Sequence, residues 1–91
     1  MDVHEAAAVL DAHLAEFVRR SYADLAALGG EAQTTHAIGG SGTAYQIEFN
    51  VFYDSGAKRD LRIVGSIDDG GWRAFMPLTQ TEIVKPTGDL V

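Results

Sequence analysis

Between Thr43 and Asp54 the chain alternates: Tyr45, Ile47, Phe49, Val51 and Tyr53 fall on one side, and Gln46, Glu48 and Asn50 on the other. A period of two carried by aromatic and β-branched residues is that of a half-buried strand. At roughly 3.3 Å per residue it is a long one. Its apolar side needs a covering layer, and the residues ahead of it supply an amphipathic helix.

Asp2, three residues before Glu5, reads as an N-cap with its capping-box partner. At about 100° per residue, Val3, Ala7, Leu10, Leu14, Phe17, Ser21, Leu25 and Leu28 fall in one narrow stripe. The stripe does not drift, which predicts a single continuous helix over about residues 2–29, stopped by Gly29-Gly30. Ser21 is its one polar member, either back-bonded to its own helix or aimed into a pocket. The opposite face carries Ala8, Ala12, Ala15, Ala23 and Ala26. Alanine is the best helix former, and small side chains also permit the close approach of a second helix in a dimer.

Residues 31–38 read as a short first strand, and Gly39-Gly40-Ser41-Gly42 turns it into the long one. Phosphate-binding glycine loops open a helix. This one opens a strand, so it is a hairpin. Matching apolar faces then pairs Val51 with Leu61, Phe49 with Ile63, Ile47 with Gly65 and Tyr45 with Ile67, since a one-residue slip would bury the wrong set. Asp69-Gly70 has the composition of a two-residue type I′ turn. It sets Ile67 opposite Trp72, Gly65 opposite Ala74, Ile63 opposite Met76 and Leu61 opposite Leu78. Both hairpins agree on the inward face. Pro77, which lacks a backbone donor, marks an edge or a bulge, and Thr79 to Lys85 continue the last strand. The expected fold is α+β: one long N-terminal helix packed across a four-stranded antiparallel β-meander, a single domain with its sheet over about 32–85 and a short C-terminal tail. The element order is similar to that of cystatin-like helix-on-sheet domains, a likeness of outline that confers no function.

The formal charge is −6, and residues 1–31 carry −4 of it. An acidic chain repels nucleic-acid phosphates. The absence of cysteine removes disulfides, thiolate metal sites and cysteine nucleophiles. The longest apolar run, Ala6 to Leu10, is far short of the roughly 20 residues a bilayer requires. No basic segment followed by an apolar core opens the chain, so a cytoplasmic protein is expected, binding neither membrane nor nucleic acid.

His4, His13 and His36 lie apart, without the spacing of a metal pair. No nucleophile elbow is present, and Asp68-Asp69-Gly70 lacks the further oxygen ligands of a calcium loop. The expectation is therefore no catalytic centre, cofactor or metal. The outer sheet face is more telling. Its expected rows are Gln46–Ser66–Arg73, Glu48–Val64–Phe75 and Asn50–Arg62–Pro77, with Phe52 beyond them beside Asp60. Aromatics and arginine embedded in a polar face have the composition of an interface. Glu48, Phe52, Arg62, Val64, Arg73 and Phe75 are the candidate protein-binding residues. They suit a small acidic non-catalytic binding protein, an accessory, regulatory or inhibitory subunit that meets a protein partner or a second copy as a homodimer. The alternative is a small-molecule binder or minor enzyme. Its pocket would lie between helix and sheet where Ile47, Gly65 and Ala74 leave a bare row, with Ser21, His36, Tyr45 and Trp72 around it. Phe17 or Leu14 filling that trough would remove the pocket.

Overall fold

The computed structural model describes residues 1–54, 59–71 and 77–91. Along it run α1 (Val3–Phe17), α2 (Tyr22–Ala27), β1 (Gln33–Ile38), β2 (Ala44–Tyr53), β3 (Leu61–Asp68) and β4 (Leu78–Val84). The strands form one antiparallel sheet in the order β1-β2-β3-β4. The fold is the expected α+β meander with helix on one face. Among the described residues no helix is long and apolar enough to cross a membrane.

The N-terminal segment departs from expectation, being two helices and not one. α1 ends after Phe17 with Val18 as its C-cap. Ser21 adopts extended backbone (φ −62°, ψ 155°) and N-caps α2, its Oγ accepting from Asp24 N at 3.1 Å. A serine oxygen that satisfies an otherwise orphaned N–H favours a new start over continuation. Length favours it too. A helix of about 28 residues would run roughly 42 Å, whereas the ten-residue β2 extends about 33 Å. After the break α1 packs chiefly on β3 and β4 and α2 on β2. Leu25 thereby reaches the core, where it is fully buried. Val3, the first member of the predicted stripe, is 41% exposed, and Ala6 takes its place inside.

The registers differ from those expected, by even numbers of residues. Val51 pairs with Ile63, Phe49 with Gly65, Ile47 with Ile67 and Tyr53 with Leu61, a shift of two. Along β3, Leu61 pairs with Val84, Ile63 with Glu82, Gly65 with Gln80 and Ile67 with Leu78. Leu78 thus lies six residues from its expected place opposite Leu61. The two-residue type I′ turn does not form: it requires positive φ at both Asp69 and Gly70, and of the two Gly70 alone has it. Asp68 Oδ1 and Asp69 Oδ1 accept from the N–H groups of Gly70 and Gly71 (2.9 and 3.1 Å) as Asx turns do, and β4 runs from Leu78. Trp72, Ala74 and Met76 lie outside the described residues. Every one of these shifts preserves which side chains face inward. Tyr45, Ile47, Phe49, Val51, Leu61, Ile63, Ile67 and Val84 form one buried cluster with Ala6, Leu10, Leu14, Phe17, Val18 and Leu25.

Candidate binding surfaces

Both helices pack on the inner face through that cluster, which leaves the outer face as a surface. Pairing arranges it in four rows: His36–Gln46–Asp68, Thr34–Glu48–Ser66–Thr79, Asn50–Val64–Thr81 and Phe52–Arg62–Ile83. Phe52 is therefore the direct partner of Arg62 and not of Asp60. The Arg62 guanidinium carbon stands 6.0 Å from the Phe52 ring centre, and Phe52 remains 47% exposed. Val64 faces Asn50, and Glu48 faces Ser66. Asn50 Nδ2 donates to Glu48 Oε1 at 2.9 Å. Arg73 and Phe75 lie outside the described residues. Ile83, half-buried, flanks Arg62 on the side opposite Phe52, a neighbour that the expected register did not include. The β-branched alternation Thr79–Thr81–Ile83 carried the signal for it, masked by the assumption that β3 pairs with residues 72–78.

The residues expected around a pocket do not come together. His36 is exposed on the outer face, and Ser21 is exposed at the helix joint. Gly65 lies on the inner face, and its trough is filled. A Cβ there would stand 3.1 Å from Leu10 Cδ1 and 3.0 Å from Phe49 Cε1, so Leu10 and the Phe49 ring occupy the bare row in place of Leu14 or Phe17. Tyr45 is buried, and its hydroxyl donates to Glu5 Oε1 at 2.7 Å. Trp72 is outside the described residues.

Glu5 itself has a role that its place in a capping box concealed. Its N–H donates to Asp2 Oδ1 (3.1 Å) as a cap requires, but its carboxylate leaves the helix end for the glycine loop. It accepts there from Ser41 N (3.0 Å) and Ser41 Oγ (2.7 Å). A Cβ on Gly39 would overlap that carboxylate and stand 2.9 Å from Tyr45 Cε2, so glycine is what allows the approach. The Ser41 hydroxyl, then the Tyr45 hydroxyl, hold the Glu5 carboxyl below its ordinary value of 4.5. Donation to Glu5, followed by burial, pushes Tyr45 up to about 12. Three donors on one carboxylate make a clamp between α1 and the β1–β2 hairpin.

A true concavity lies elsewhere, between the C-terminal half of α1 and β1, with a volume of about 680 Å³. Among the described residues no group of three or more His, Asp or Glu side chains assembles that would hold a metal ion. Comparison with known protein families, curated proteins and solved structures finds no match.

Proposed function

We propose that this chain is a binding domain acting through protein–protein contact, with the outer face of its sheet as the contact surface and a second copy of the chain as the occupant. The observation that carries this reading is the arrangement of charge about the apolar side chains of this face. Phe52 and Ile83 flank Arg62 in one row, Val64 stands in the next, and Glu48 lies one row beyond Val64 on the side away from Arg62. A two-fold axis running across the strands at the Asn50–Val64 row brings Arg62 of each copy toward Glu48 of the other. A surface that complements itself in this way suits the isologous interface of a homodimer. Burial of the exposed Phe52 ring adds roughly 25 cal/mol per Å² of apolar area removed from water, and arginine–carboxylate pairs add charge-assisted hydrogen bonds.

Sedimentation equilibrium with charge exchange tests it. Wild type is expected to dimerise, Arg62→Glu to weaken the dimer by about tenfold or more, since like charges set face to face cost several kcal/mol, and Glu48→Arg combined with Arg62→Glu to restore it. Circular dichroism checks that each variant folds. A wild type that stays monomeric, or an exchange pair no better than Arg62→Glu alone, refutes the self-association reading.

A further inference from the structure

The concavity beside β1 follows from how the helices lie. α1 covers mainly β3 and β4 and α2 covers β2, so the inner-facing side chains of β1, Gln33 and Thr35, form an open wall with no helix directly above it. The opposite wall is the last turn of α1 and the residues after it, with His13 and Arg20. Between the walls, Phe17 and Phe49 are stacked with ring centres 4.4 Å apart and planes at 20°. The stack depends on Gly65, whose missing side chain lets the Phe49 ring lie across the strand beside it. The walls are polar, and the floor is the edge of this aromatic stack, whose rings are otherwise buried (6% and 4% exposed).

The charge at this groove runs against that of the chain. Glu16, the one carboxylate among its described lining residues, is engaged by Arg19 at 3.3 Å. Arg20 makes no ion pair among the described residues, and its guanidinium carbon lies 4.6 Å over the Phe17 ring. His13 donates from Nδ1 to the Val9 carbonyl at 2.9 Å, which leaves Nε2 to meet a ligand. The carbonyl end of α1 does not itself attract an anion, so the positive charge available there is that of Arg20. A volume of about 680 Å³ falls within the range of about 300–1,000 Å³ that small-molecule sites occupy.

We propose that this groove binds a small amphipathic carboxylate, its carboxylate paired with Arg20 and its apolar body laid against the rims of Phe17 and Phe49. Gln33 and Thr35 supply hydrogen bonds from the facing wall. The site is on the inner side of the sheet and is independent of the outer-face contact.

The test is a titration followed by amide ¹H–¹⁵N correlation spectra, with 2-naphthoate as probe and its uncharged analogue 2-naphthamide as control. Naphthoate is expected to shift signals of residues 13–20 and 33–35 and to bind about tenfold or more tightly than the amide, the worth of a charge-assisted pair. Arg20→Gln should remove that preference and leave the spectrum dispersed. Thr35→Phe, which fills the groove, should weaken both probes. Equal affinity for the two probes, shifts located elsewhere, an unaffected Arg20→Gln, or no shifts up to about 5 mM probe would each overturn the assignment.

Discussion

Valine in place of Gly65 tests how tightly the helix presses on the sheet. The φ of Gly65 lies outside the left-handed region, so the backbone accepts an L-residue and the cost is one of space. The first added carbon would meet Phe49 Cε1 at 3.0 Å, Leu10 Cδ1 at 3.1 Å and Phe49 Cδ1 at 3.2 Å. Carbon contacts are optimal at about 3.5–4.0 Å, so both neighbours must retreat by several tenths of an ångström even for alanine. Loss of glycine's freedom in the unfolded chain returns about 0.4–1 kcal/mol, against about 1–3 kcal/mol for overpacking. Valine adds two further methyls beyond that crowded carbon, which puts the overpacking at the upper end, and we expect a net loss of about 2 kcal/mol. For a chain of 91 residues that is a fall in Tm of roughly 8–16 °C. Urea unfolding should show a lower midpoint at unchanged slope. Leu10→Ala alone should cost about 2–5 kcal/mol through its cavity. Combined with Gly65→Val it should cost less than the sum, by about 1–3 kcal/mol, because each change relieves the other. An unchanged midpoint for Gly65→Val, or strict additivity in the pair, would show that Leu10 does not pack on Gly65.

Spectrophotometric titration should find one of the three tyrosines ionising late, near 12, because Tyr45 donates to Glu5 and is buried. Its contribution to stability is complete below the unfolded value near 10 and is lost as pH rises toward 12. Glu5 acts in the opposite sense. Its lowered pKa gives stability that is present above about 4.5 and lost as pH falls through the folded value. Glu5→Gln should return the late tyrosine toward 10 and flatten the acid side of the stability profile, read as the urea midpoint against pH. Ser21→Ala removes the cap of α2 and should cost about 0.5–2 kcal/mol in thermal unfolding, whereas a serine merely facing solvent within one long helix would be nearly neutral.

The two faces of the sheet, the hairpin at Gly39–Gly42, and the inward set Tyr45, Ile47, Phe49, Val51, Ile63 and Ile67 are legible in the residues themselves. Alternation assigns each side chain to a face whatever its partner. The break at Ser21 is less so, because Ser21 and Leu25 keep the phase of one helix and only the length of the sheet and the need to bury Leu25 select two. Partner identity is a different matter. Side chains repeat every two residues, so registers that differ by two, as at Val51, or by six, as at Leu78, bury the same sets. Turn geometry and helix packing choose among them. That choice put Arg62 beside Phe52, brought Ile83 into line with them and placed Leu10 over Gly65. The groove at β1 is likewise a tertiary product. His13, Arg20 and Phe17 are far along the chain from Thr35 and Phe49, and they meet only because α1, crossing β3 and β4, leaves the first strand uncovered.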